Sequence, residues 1–308
     1  MKKIYCSNIE GDDILKRAFT IIISAIIICL TGLGIIGYFV EQGEENNAAK
    51  TEKSVSGEEA QGIILDGNSL DIYKIEGFTP GGQVKPSDNN DLNTNLDDVE
   101  VKDSTKNNSD ETTEVGGMTL PYTPAYKDME IISIGSYDGK FVEDGSDTKK
   151  SNVLAMVIKN TSDKVIDYGQ IVMKISGQNE GITFQLSNLK PGAAALVMES
   201  SGQVEFNEDD KYIYLDSRND LVDEMPLMEN DIKIAAKKDE LTVENLSDKN
   251  LKTVYVYYKT VDKAGCYLGG ITYRTKFDRV TAGKSVTAET IHFSKKSSEI
   301  IMVESVKE

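Results

Sequence analysis

Residues Ala18–Val40, AFTIIISAIIICLTGLGIIGYFV, carry no charged side chain. An α-helix rises about 1.5 Å per residue, so this run reaches roughly 35 Å, enough to cross a hydrocarbon core ~30 Å thick. Lipid offers no partners to backbone N–H and C=O groups, and a helix satisfies them within one segment. The run is therefore expected to be a transmembrane helix at 18–40, with a short tail at 1–17 and a long acidic region after it. Lys16 and Arg17 abut the span and Lys2 and Lys3 lie further back, whereas the other flank has Glu41, Glu44 and Glu45 and no base before Lys50. Basic flanks stay in the cytoplasm, which predicts a cytoplasmic N-terminus and an extracellular remainder at a cell membrane crossed once. A cleaved signal peptide would have an apolar region of ~7–15 residues followed by small residues. This run is longer and Gly37-Tyr38-Phe39-Val40-Glu41 has no A-x-A-like site, which favours an uncleaved signal anchor. Cys29 follows three isoleucines rather than a lipoprotein motif, and reads as a small apolar side chain of the span.

Charge excludes one class of partner. The 308 residues hold 51 acidic and 34 basic side chains, a net charge of −17. Nucleic acid demands a basic face, so none is expected. The three cysteines are Cys6, Cys29 and Cys266. Only the last falls in the predicted exported part, which leaves no intramolecular disulfide there and fits a bacterial surface protein. No LPXTG-like sorting signal follows, so the N-terminal helix is expected to be the sole anchor.

From Glu41 to about Tyr126 the chain is rich in Glu, Asp, Asn, Ser, Thr and Gly. Such a segment buries too little apolar surface to offset the entropy of ordering it, and 41–126 is read as a disordered acidic linker. As a random coil of ~85 residues it would span about 50 Å, further with charge repulsion. Gly62-Ile63-Ile64-Leu65 and Ile72-Tyr73-Lys74-Ile75 interrupt it, as docking motifs or as local collapse. Asp91-Leu92-Asn93-Thr94-Asn95 begins like a calcium loop but has Leu96 where Gly is needed and Lys102 where Glu is needed, so it is rejected.

Beyond Tyr126, short Val-, Ile- and Tyr-rich runs alternate with turn clusters. The runs are Glu130–Ile134, Val153–Ile158, Gln170–Ser176, Gly181–Leu186, Ala193–Glu199 and Tyr212–Leu215, then Ile232–Ala235, Glu240–Glu244, Thr253–Val261, Gly270–Thr275, Ser285–Phe293 and Glu299–Val303. No long amphipathic helix intervenes, which predicts an all-β chain of β-sandwiches. Asn160-Thr161-Ser162-Asp163-Lys164 repeats as Asn245-Leu246-Ser247-Asp248-Lys249. Each copy leads later to a Gly turn, Leu189-Lys190-Pro191-Gly192 or Val280-Thr281-Ala282-Gly283. The repeat predicts two tandem domains, 127–217 and 231–308, split near Pro226.

The order strand, N-x-S-D-K turn, strand, Gly turn, strand resembles bacterial immunoglobulin-like modules, in particular the FxLYD type. In the second copy Tyr258-Lys259-Thr260-Val261-Asp262 stands where that motif falls; Tyr258 and Asp262 match, while Thr260 and Val261 depart. The resemblance implies an Ig-like sandwich and an adhesive or scaffolding role, with no catalytic residues to carry over. A second resemblance is local: Ala18-Phe19-Thr20 looks like the processing site of type IV pilins, although Ala18 replaces Gly and Ile23 replaces the acid at the fifth mature position. It implies a pilin-like subunit of a surface or secretion assembly as the alternative reading.

No catalytic residue is assigned. The single histidine, His292, lies in the strand-like run Thr290–Phe293, and no G-x-S-x-G elbow accompanies it. No cluster of His and Cys suggests a metal, and no cofactor or small-molecule substrate is expected. Paired carboxylates such as Glu143-Asp144 and Glu208-Asp209-Asp210 read as solvated surface. Asn107, Asn160 and Asn245 head N-x-S sequences, the last two as turn residues. The candidate binding residues are Tyr255, Tyr257 and Lys259, which alternation puts on one face of Thr253–Val261 with Val254, Val256 and Tyr258 on the other. With the valines in the core, that face is either an exposed binding strip for another surface or membrane protein, or cover for the sheet turned toward the first domain.

Overall fold

The structure is a computed structural model and describes residues 70–82, 112–124 and 128–307. The predicted cytoplasmic tail and transmembrane helix lie outside the described residues. Among the described residues no helix is long and apolar enough to cross a membrane. A 3-10 turn at Ile72–Lys74 is followed by β1 (Phe78–Pro80), β2 (Thr113–Val115) and β3 (Met118–Leu120). Module 1 then runs through β4 (Met129–Phe141), β5 (Thr148–Asn160), β6 (Val165–Ile175), β7 (Ile182–Leu189), β8 (Ala194–Met198) and β9 (Tyr212–Val222). Module 2 comprises β10 (Ile232–Lys237), β11 (Glu240–Asn245), β12 (Leu251–Thr260), β13 (Tyr267–Leu268), β14 (Tyr273–Val280), β15 (Ser285–Glu289) and β16 (Ser298–Lys307). The chain is all-β, as its turn-punctuated apolar runs predict.

The two modules share one wiring. In module 1, β4-β5-β8 form one layer and β7-β6-β9 the other; in module 2 the layers are β10-β11-β15 and β14-β12-β16. The repeated asparagine fixes the same corner in both. Asn160 is fully buried, and its amide donates to the carbonyls of Lys164 at 2.7 Å and Leu189 at 2.8 Å. Its side-chain oxygen accepts from the N–H and hydroxyl of Ser162 at 2.9 and 2.8 Å. Asn245, also fully buried, donates to Lys249 and Val280 carbonyls at 2.8 and 2.9 Å and accepts from Ser247 at 3.0 and 2.7 Å. The asparagine backbone carbonyls accept from Gly192 and Gly283 across the later Gly turn. A side chain with two donors and an acceptor thus ties three stretches of backbone, which is why Asn recurs here.

The modules differ in what lies outside the sandwich. On β5, Leu154, Met156 and Ile158 face the inner core while Val153, Ala155 and Val157 join a second cluster on the outer face with Leu196 and Met198 of β8. A strand apolar on both sides must be covered on both sides. The cover comes from Ile75 and Phe78 and from Ala264 and Cys266 of module 2. β1 extends the layer antiparallel to β4, and β13 extends it in parallel with β8, giving the order β1-β4-β5-β8-β13.

Three boundaries move. Residues 70–82 and 112–124 were expected in the linker, yet Ile75, Phe78, Val115, Met118 and Leu120 are buried; local apolar content too low to fold alone suffices once a formed sheet supplies the other face. β9 continues through Asp216–Val222, past the expected domain end at 217, because a polar edge strand reads as a turn in sequence. The two expected domains also share apolar packing: Tyr257, Val261, Tyr267 and Ile301 of module 2 belong to the module 1 core cluster. All described residues fall in one compact unit.

Candidate functional site

The groups with the most displaced ionisation meet where module 2 docks on module 1. β12 alternates as expected: Val254, Val256 and Tyr258 enter the core of module 2, and Tyr255, Tyr257 and Lys259 share the opposite face. That face is turned to module 1. Tyr257 is 4% exposed and Lys259 1% exposed, while Tyr255 is half-buried against the module 1 cluster. Of the two readings of this face, the exposed binding strip is corrected: these residues are cover turned toward module 1, the inner side of a joint. Tyr257 donates its hydroxyl to Glu304 Oε2 at 2.6 Å, and Arg274 lies 5.0 Å from the Tyr255 ring.

Lys259 Nζ donates to the carbonyl oxygens of Gly270 at 3.1 Å and Ile271 at 2.6 Å. On the amide side of the same glycine, the Gly270 N–H donates to both carboxylate oxygens of Glu143 at 3.0 Å, and Glu143 Oε1 also accepts from Met198 N–H at 2.9 Å. The Gly270 carbonyl further accepts from the N–H and hydroxyl of Ser187 at 2.8 and 3.2 Å. Thr272 meets Ser187 Oγ at 2.9 Å and Asn188 Nδ2 at 3.2 Å. Only glycine fits at 270, since a Cβ there would sit 1.8 Å from the carbonyl oxygen of Gln185. One backbone unit of module 2 is thus gripped by β7, by the β4–β5 loop and by its own module's lysine.

Desolvation dominates the electrostatics. Burial pushes the Glu143 carboxyl up to about 7 against the opposing pull of the Met198 and Gly270 N–H groups and the Lys259 charge. Burial pushes the Lys259 amine down to about 7, opposed by the Glu143 charge. Burial and then the neighbouring Glu299 carboxylate raise the Tyr267 hydroxyl well above its ordinary value. Tyr267 is fully buried and donates to Glu299 Oε2 at 2.8 Å, while Lys190 of module 1 binds Glu299 Oε1 at 2.5 Å. Buried charges that find both a counter-charge and backbone partners are tolerated and specify geometry.

His292 lies beyond the end of β15 rather than in a strand: Thr290 makes the last bond to Asp239 O, and the chain bends at Ile291 and His292. Its ring stacks on Tyr273 at 4.3 Å and 15°, and Nδ1 is 3.7 Å from Asp147 Oδ2 of module 1, an oxygen that Lys140 also holds at 3.2 Å. It is another contact across the joint. Of the FxLYD-like stretch, Tyr258 is core, and Asp262 turns the chain toward module 1 by accepting from Ala264 N–H at 2.7 Å. Glu143, expected as solvated surface, is the main correction: it is half-buried with its carboxylate inside the joint. Sequence reasoning missed Glu143, Lys190, Gly270 and Glu299. Their signal was faint: a lysine on the tyrosine face of β12 needs an acid once that face is covered, but sequence does not say which.

Among the described residues, no group of three or more His, Cys, Asp or Glu side chains is arranged to hold a metal ion. No protein-family model and no curated protein matches the chain.

Proposed function

We propose that this chain is a single-pass, membrane-anchored extracytoplasmic binding or scaffolding protein of a bacterial cell surface, and that it works without catalysis. The observation that carries the reading is the joint: its strongly perturbed groups are engaged in holding two Ig-like sandwiches together rather than facing a cleft. A protein that fixes the relation of two modules presents a larger constant surface to a partner than two modules on a loose hinge, which lowers the entropy lost on association. The uncharged run at 18–40 and its basic inner flank support anchorage, and the acidic stretch that follows supports display away from the bilayer.

Protease shaving of intact cells tests the arrangement. Modules displayed outside are expected to be cut from whole cells; modules protected in whole cells and lost only after lysis contradict it. Mass analysis of the mature N-terminus separates the pilin-like alternative, which requires a chain starting at Phe19.

A further inference from the structure

Residues 70–82 belong to neither sandwich and touch both modules. Asp71 opens the segment, accepting from Tyr73 N–H at 3.2 Å and pairing with Lys74 at 2.8 Å. Ile75 and Phe78 then enter the outer cluster of module 1, beside Tyr137, Phe141 and Val142. β1 pairs with the edge of β4 through Phe78↔Tyr137, Thr79↔Ser136 and Pro80↔Gly135. The seat is close-fitting: a Cβ on Gly77, whose φ is +80°, would lie 2.2 Å from Asp138 O, and one on Gly135 would lie 2.1 Å from Thr79 O. Toward module 2, the Glu76 N–H donates to Asp262 Oδ2 at 3.3 Å, and Ala264 and Cys266 share the cluster with Ile75.

Two observations set this segment apart from the strands it lies on. Module 2 completes the same six-strand sandwich with β10 at the edge of its layer, so the wiring does not require a strand at the position of β1. The attachment consists of three ladder pairs, the flanking Gly81 and Asp138 backbone bonds, the Glu76–Asp262 bond, the buried Ile75, Phe78 and Pro80 and the partly buried Leu70 and Ile72, set against the entropy of ordering the whole segment. Such a balance places a segment at the low-stability end of a fold, where local opening precedes global unfolding.

We infer that residues 70–82 are a latch that opens as a unit from two folded sandwiches, and that in its closed state it secures the β12–β14 loop of module 2 against module 1. Opening uncovers the β4 edge and the cluster containing Cys266, a buried thiol that burial pushes up to about 12.

Hydrogen exchange on the full chain in detergent, with Cys6→Ser and Cys29→Ser so that Cys266 is the remaining thiol, tests it. The N–H groups of Gly81 and Asp138 bond Ile134 O and Gly77 O across the contact between latch and β4, and so report latch closure. They are expected to exchange about tenfold or more faster than the Leu154 and Glu199 amides between β5 and its neighbours. Equal rates, with the same denaturant dependence, overturn the inference. In the same background Phe78→Asp is expected to raise alkylation of Cys266 by about tenfold or more while β5 and β12 amides keep their protection. An unchanged Cys266 rate overturns it, and so does loss of β5 and β12 protection, which would make the segment integral to the fold.

Discussion

Modules 1 and 2 have the same six-strand wiring and the same buried asparagine at the same corner, yet they face their surroundings in opposite ways. The outer face of β4-β5-β8 carries Tyr137, Val153, Ala155, Val157, Leu196 and Met198, all buried. The equivalent face of module 2 carries Thr242 and Thr287, whose hydroxyls meet at 2.8 Å, and the exposed ends of Ser285 and Glu289. An apolar outer face demands cover and so recruits the latch and the β13 loop. A polar one needs only water, and its edge strand β10 is guarded by the exposed Lys233 and Lys237. A fold motif fixes the inner core and the corner; the outward residues decide whether a module is an end or a platform.

The largest expected effect tests the shared corner. Asn160→Ala and Asn245→Ala each remove the side-chain donor to a buried carbonyl, Leu189 O or Val280 O, and the acceptor of two Ser groups, at an expected cost of about 3 kcal/mol apiece. Urea denaturation of the two variants should give closely similar losses, and a wide gap between them would break the equivalence of the modules. Next comes Gly270→Ala, which drives a Cβ into Gln185 O. About 2–3 kcal/mol is expected to be lost from the joint, and calorimetry should resolve two transitions where the parent shows one.

The Lys259–Glu143 pair gives a pH signature. A carboxyl held above its ordinary 4.5 keeps its proton longer in the folded state, so its favourable contribution is complete below about 4.5 and fades as pH rises through about 7. An amine depressed toward about 7 works the other way, adding stability as pH rises from about 7 toward 10.5. Lys259→Met removes the second and deprives Glu143 of its counter-charge. Relative to wild type the variant should therefore weaken progressively as pH rises above about 7, read from urea midpoints; a constant difference across pH would mean that burial does not depress the Lys259 amine and that Glu143 does not feel its charge. The smallest effects sharpen the outer-face contrast. Val157→Thr should cost about 1–2 kcal/mol, whereas Thr242→Val in module 2 should stay within about 0.5 kcal/mol.

All twelve strand runs expected beyond Tyr126 correspond to strands, because each couples apolar periodicity to a turn that Asn, Asp, Ser or Gly makes locally. β1, β2, β3 and β13 escaped. Each is two or three residues long and is stable only against a sheet built elsewhere, so no local pattern marks it. Ser285–Phe293 overran β15 because Ile291, although 76% exposed, continues an apolar rhythm. At the candidate site, Lys259 and its tyrosine neighbours were placed on the correct face by alternation alone. What covers that face depends on Glu143 and Gly270, more than a hundred residues apart in sequence, a pairing that composition and spacing do not encode.

The central claim is that the two sandwiches act as one body through the joint. Scanning calorimetry of the full chain measures this directly. One transition, with calorimetric and van't Hoff enthalpies in agreement, is the predicted result. Two separable transitions in the unmodified protein, each assignable to one module, would contradict it.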